Sequence, residues 1–171
     1  IDTRDNRAIT RSGWEVNVRS GIANQVDGDE FKYWNLQADI RRHIHMFYDR
    51  RLILRLAAER VRPLSGKDIP FFDLSELGRR ETIRGFPRGR FRDRDMLMAS
   101  IEYRYPIWHY FDWILFVDGG QVSPDILNDV DLNDFSFTYG SGFLIRGNED
   151  PVLHISVGVS KDQVRFYVVL D

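Results

Sequence analysis

In the stretch Trp113-Ile114-Leu115-Phe116-Val117-Asp118-Gly119-Gly120, Trp113, Leu115 and Val117 fall on one side of an extended chain, and Phe116 and Asp118 on the other. That period of two belongs to a strand, because a helix would bring its apolar residues together at three and four. Upstream, the period recurs in Leu97, Ala99, Ile101, Tyr103 and Tyr105, opposed by Ser100, Glu102 and Arg104. It appears again in Leu52, Leu54, Leu56 and Ala58, opposed by Arg55 and Glu59. Trp34, Leu36, Ala38 and Ile40 make an earlier run, and Trp14, Val16, Val18 and Ile22 the first. Downstream it returns in Phe137, Tyr139, Phe143 and Ile145, in Leu153, Ile155, Val157 and Val159, and in Val164, Phe166, Val168 and Leu170. The pattern predicts an all-β fold of about eight antiparallel strands.

The runs reach roughly nine to eleven residues, longer than the roughly five or six of an ordinary soluble strand and suited to a tilted bilayer crossing. Their connections alternate in length. Segments 47–50, 106–110 and 148–151 read as tight turns, whereas 24–30, 63–94 and 121–134 are longer. Short turns on one rim and long loops on the other are the habit of an outer-membrane barrel, although 161–163 is short on the long-loop rim. Aromatic residues gather at both strand ends, with Trp14, Tyr48, Trp108, Tyr110 and Trp113 on the short-turn side. Phe31, Trp34, Phe137, Tyr139 and Phe166 stand on the other, so two aromatic girdles are expected. A soluble β-sandwich or lipocalin-like binder would share the alternation. Strand length and the charged residues on the polar faces favour an antiparallel transmembrane β-barrel with a wet interior.

Composition narrows the field further. With 171 residues, 43% of them hydrophobic, the chain holds enough for one domain, and disorder is disfavoured. No run approaches the roughly 18 consecutive apolar residues of a spanning helix. A net charge of -2 gives no global reason to bind nucleic acid, and the arginines between Arg79 and Arg94 need a local explanation. The absence of cysteine excludes a disulfide scaffold and thiolate metal sites. The chain starts at Ile1 without a charged and apolar leader, so it reads as a mature chain or an excised piece.

Glu81-Thr82-Ile83-Arg84-Gly85-Phe86 lies in the longest loop, and Phe116-Val117-Asp118-Gly119-Gly120 follows it in order. Together these pieces resemble the Omp85 superfamily, the BamA/TamA or bacterial surface antigen family. That family carries an Arg-Gly-Phe/Tyr motif in the loop between its eleventh and twelfth barrel strands and Phe-x-Asp-x-Gly on its thirteenth. Asp2-Thr3-Arg4-Asp5-Asn6 followed by Gly13 resembles the family's lead-in to a mid-barrel strand, and Ser100-Ile101-Glu102-Tyr103-Arg104-Tyr105-Pro106 its twelfth strand. The resemblance spans nearly the whole chain, 1–171, and implies the C-terminal half of a sixteen-stranded barrel. It further implies the bacterial outer membrane, contact with outer-membrane lipid, and unfolded outer-membrane or secreted polypeptides as clients. It implies that Arg84, Gly85 and Phe86 form a loop-lock motif, with Glu102, Phe116, Asp118 and Gly120 as partners in the lumen.

Physical chemistry supports such a pairing independently. Asp118 and Glu102 share the polar parity of their strands, and an arginine descending from the loop could satisfy a carboxylate in a bidentate pair. Gly85 permits a sharp backbone turn, and Phe86 can pack on the lumen wall. The simpler alternative is a solvated loop in which Arg79, Arg80, Arg88, Arg90, Arg92 and Arg94 form a basic surface patch. Size opposes insertion into a closed eight-stranded barrel, whose interior is filled by its own side chains. If the loop inserts, further strands are expected from a missing N-terminal half or a second copy. The C-terminal stretch Phe166 to Asp171 ends acidic, where family members commonly end in an aromatic.

An enzyme is not expected. No Gly-x-Ser-x-Gly, phosphate loop or cysteine nucleophile is present. Glu102 and Asp118 could form an acid/base pair, but ion pairing with Arg84 or Arg104 is the better reading. His43 and His45 share a strand face, yet a metal is not favoured, and no cofactor is implied. Gly140-Ser141-Gly142 reads as small residues where a strand bends or neighbours approach closely. The expected function is assembly or insertion of outer-membrane proteins, or polypeptide translocation. The alternative is a barrel anchor for an appended passenger such as a patatin-like lipase.

Overall fold

Residues 1–5, 10–25, 30–147 and 151–170 are described by a computed structural model of the chain. Asn6, the middle of the 24–30 loop, the tip of the 148–151 turn and Asp171 lie outside the described residues. Each alternating run forms a strand: β1 (Gly13–Asn24), β2 (Lys32–His45), β3 (Arg51–Pro63), β6 (Asp95–Trp108), β7 (Phe111–Ser123), β8 (Ser136–Arg146), β9 (Pro151–Ser160) and β10 (Val164–Leu170). They make one eight-stranded sheet in the order β1-β2-β3-β6-β7-β8-β9-β10, antiparallel throughout.

Register explains the two faces. Ile101 stands opposite Val117, and Val117 opposite Tyr139, so one row of the sheet is apolar and outward. The neighbouring row aligns Glu102, Phe116 and Gly140 inward. Val117 is 50% exposed and Asp118 fully buried, the reverse of a soluble protein's habit. Leu115, Ile101 and Ile155 are likewise exposed, and Leu52 shares their parity opposite Tyr103. No second sheet covers this face among the described residues, which excludes the sandwich. The outward apolar band is that of a membrane barrel wall. Trp14, Tyr48, Trp108, Tyr110 and Trp113 are exposed at its short-turn end, and Phe137, Tyr139 and Phe166 at the other. Phe31 and Trp34, expected in the second girdle, are only half-exposed.

The sheet is an open wall, because β1 and β10 do not pair with each other among the described residues. Residues 1–5 extend the wall beyond β1. The Thr3 N–H donates to the Trp14 carbonyl at 2.9 Å, and the Val16 N–H donates to the Ile1 carbonyl at 2.8 Å. Gly13, at φ +129°, passes so close to this segment that an added Cβ would sit 2.5 Å from the Thr3 carbonyl oxygen.

Segment 63–94 is more ordered than a plain loop. It contains a 3-10 turn at Phe71–Asp73 and a short hairpin, β4 (Ser75–Leu77) with β5 (Phe91–Asp93). Three-residue strands are too short to show a period, so nothing in the spacing marks them. The segment lies on the inner face of the wall. Leu77, Ile83 and Phe86 are fully buried there, clustered with Ala57, Met96 and Met98 of the wall. Each buried side chain of this size contributes about 1.5 to 3 kcal/mol. The openness of the wall removes the steric objection that a closed eight-stranded barrel would raise.

Candidate functional site

The site is built where the 63–94 segment meets the inner faces of β6 and β7. Ser100 is paired with Asp118 and Glu102 with Phe116, so the two carboxylates stand diagonally on the inner face, two residues apart along the strands. Arg84 enters between them. Its Nε donates to Asp118 Oδ2 at 2.8 Å and its Nη2 to Oδ1 at 2.7 Å, a bidentate pair. The Arg84 backbone N–H also donates to Asp118 Oδ2, at 3.0 Å, and Nη1 donates to Glu102 Oε2 at 2.6 Å. Ser100 Oγ donates to Asp118 Oδ1 at 2.6 Å, and Arg104 Nε donates to Glu102 Oε1 at 2.7 Å. Two guanidinium groups therefore balance two carboxylates.

Arg84 is only 7% exposed. Burial alone would push its charge off, but the hydrogen bonds and attraction of Asp118 and Glu102 outweigh that and raise its pKa. The guanidinium also stacks 3.5 Å above the centre of the Phe116 ring. Phe116 in turn needs Gly140 on the neighbouring strand, where an added Cβ would lie 2.3 Å from the ring.

Gly85, at φ +102°, turns the chain away from Arg84 and is held by the far end of the wall. Its N–H donates to Tyr167 Oη at 3.0 Å. Its carbonyl accepts from Ser160 Oγ at 3.1 Å and from Gln163 Nε2 at 3.3 Å. The backbone of β9 comes so near that a Cβ on Gly158 would sit 2.8 Å from the Gly85 nitrogen. Phe86 points into the apolar cluster, edge-on to Phe91 with ring centres 5.0 Å apart. Gly120 faces Leu77, with 2.9 Å between that side chain and any added Cβ.

Tyr167, Ser160, Gln163 and Gly158 have no motif to announce them. Only Tyr167 carries a sequence signal, a polar hydroxyl on the inward parity between Phe166 and Val168. Most of the arginines near the motif have a carboxylate within reach, although one glutamate is shared by three of them. Glu76 pairs with Arg79, Arg88 and Arg92, and Asp162 with Arg90. Both candidate acid/base carboxylates are occupied by arginine. His43 lies inward with neither ring nitrogen hydrogen-bonded, while His45 contacts Asp49 at 3.3 Å. Among the described residues, no group of three His, Cys, Asp or Glu could hold a metal.

The model of the Omp85 superfamily domain matches residues 1–160. Among solved structures, BamA from Haemophilus ducreyi, crystallised without POTRA domains 1-3, superposes with a TM-score of 0.77 at 16% identity. The superposition covers 98% of this chain and 40% of that one, so the chain spans about two fifths of its length. No curated protein matches the chain. The fold is thus that of a barrel wall seen in BamA, carried by an ordered Arg84-Gly85-Phe86 and Asp118 arrangement, and the chain belongs to the Omp85 superfamily.

Proposed function

We propose that residues 1–171 form part of the barrel of a bacterial outer-membrane protein that inserts β-barrel proteins or passes polypeptides across that membrane. The supporting observation is the combination of an internally held segment with a terminal strand, β10, that has no partner on its outer side among the described residues. An unpaired strand presents a row of N–H and C=O groups, a template onto which an incoming strand can add. Arg84, Gly85 and Phe86 form the lock of the segment, with Glu102, Phe116, Asp118 and Gly120 as its seat. The role is one of binding and templating, with no covalent chemistry. The remaining strands of the barrel come from outside this chain.

The test is reconstitution of the full-length protein in liposomes with a urea-denatured outer-membrane protein as client, following its conversion to the heat-resistant folded form. Acceleration over empty liposomes supports the reading; equal rates reject it. Recovery of the protein as a monodisperse species without detergent rejects membrane residence altogether.

A further inference from the structure

On the outward face, three arginines interrupt the apolar surface: Arg42, Arg60 and Arg62. The last two lie at the long-loop end and are neutralised. Arg62 reaches Asp95 at 2.5 Å and 2.7 Å, and Arg60 reaches Asp125 at 2.7 Å. Arg42 is different. It sits near the short-turn end of β2, opposite Trp14 and Leu54, and pairs with no carboxylate among the described residues. Its guanidinium is stacked on the Trp14 ring, 5.0 Å from the centre. Arg42 also stands at the rim of an outward trough of about 370 Å³, lined by Trp14, Ile40, Leu54, Leu56, Ala99 and Ile101. Ala99 is the small residue among larger ones, so the trough is a recess in the wall's outer surface.

We infer that this trough binds one glycerophospholipid, with the phosphate on Arg42 and an acyl chain lying along Leu54, Leu56 and Ala99. Charge complementarity selects the occupant. An arginine without a carboxylate on a hydrocarbon-facing surface is costly at mid-depth and tolerable near the interface, where a phosphate can neutralise it. Guanidinium recognises phosphate through a planar fork, and stacking on Trp14 fixes that fork in place. The recess falls within the roughly 300 to 1,000 Å³ of small-molecule sites and is almost wholly apolar. Short turns face the periplasm in such barrels, which places Arg42 in the phospholipid leaflet. Lipid seating presupposes the membrane reading above but not the handling of clients.

The test is native mass spectrometry of the full-length protein, purified in detergent, stripped of lipid and offered phosphatidylglycerol, phosphatidylethanolamine and lipid A in equal amounts. One phospholipid retained per protein is expected. Arg42→Gln should cut retention about ten-fold, the factor matching the loss of one charge-assisted contact. Ala99→Phe fills the recess and should cut it while leaving Arg42 in place. A heat-resistant band on a gel establishes that each variant is folded. Wild-type retention in both folded variants overturns the site, as does no retention by the wild type or a preference for lipid A over phospholipid. Retention by the wild type that falls in both variants supports the site; if the wild type retains the lipid yet gives no acceleration of client folding in liposomes, the site stands and the client reading alone is rejected.

Discussion

Tyr167 Oη accepts the backbone N–H of Gly85 at 3.0 Å, joining residues 82 positions apart and fastening the last strand to the inner segment. Removing the acceptor leaves a half-buried N–H without its partner, a loss of about 1 to 3 kcal/mol. Tyr167→Phe is therefore expected to loosen residues 83–86 without unfolding the wall. Hydrogen exchange at these amides should rise at least several-fold; unchanged protection would show that the hydroxyl carries no weight there.

Arg84 is expected to be intolerant of charge reversal. Arg84→Glu places a third carboxylate against Asp118 and Glu102, and breaking a buried pair of this kind costs about 3 to 5 kcal/mol. The heat-resistant form should melt at lower temperature, with Asp118→Arg in the same chain restoring part of the loss. Arg84→Lys keeps the charge but not the fork and should fall between. A single variant as stable as the parent would dismiss the pin.

Gly140 is expected to reject even a methyl group. An added Cβ would lie 2.0 Å from the Val157 carbonyl oxygen and 2.3 Å from the Phe116 ring. Gly140→Ala should destabilise by about 1 to 3 kcal/mol through forced displacement of its neighbours. Gly66, unlike Gly140, has a positive φ, and nothing lies within 4 Å of its added Cβ, so Gly66→Asn serves as a mild control. Equal melting of the two variants would contradict the crowding argument.

Acid should act on the long-loop rim. The Asn128 side chain hydrogen-bonds the Asp125 carboxylate, and Arg60 and Arg62 lie beside it, so its pKa is lowered in the folded state. A lowered folded value means that the stabilisation is fully present above the unfolded value of about 3.9 and is lost as pH falls below it. Protection factors of residues 124–129, taken relative to the intrinsic amide rate at each pH, should fall on acidification through that window and stay flat between about pH 5 and 8. Asp125→Asn should abolish the acid dependence.

Strand number and the facing of the wall were legible because period two is local: Leu115 and Val117 specify one side whatever lies beyond them. The inward parity of Glu102 and Asp118 is readable in the same way. Where Arg84 would go was legible only in part: parity offered inward carboxylates, but nothing in its neighbours aims it at them, and the choice of that destination came mainly from the family motif. The grip of Ser160, Gln163 and Tyr167 on Gly85 was invisible, because such contacts depend on wall curvature and not on spacing. Asp95 runs against parity. It takes the outward side of β6, yet it is fully buried beneath Arg60, Arg62 and the backbone N–H of Ile126. Alternation reports which way a side chain points and is silent about what folds over it.

Arg84 and Gly85 are consecutive residues, one fastened to the middle of β7 and the other to the middle of β10, with β8 and β9 lying between. A single peptide unit, about 3.8 Å from Cα to Cα, thus works as a tie-rod across the hollow of an arch. Flattening the arch would stretch the rod, so an outward swing of the last stave cannot occur while both fastenings hold. Stave and rod share one mechanical coordinate, and any agent that draws the stave aside must first unhook a tyrosine hydroxyl.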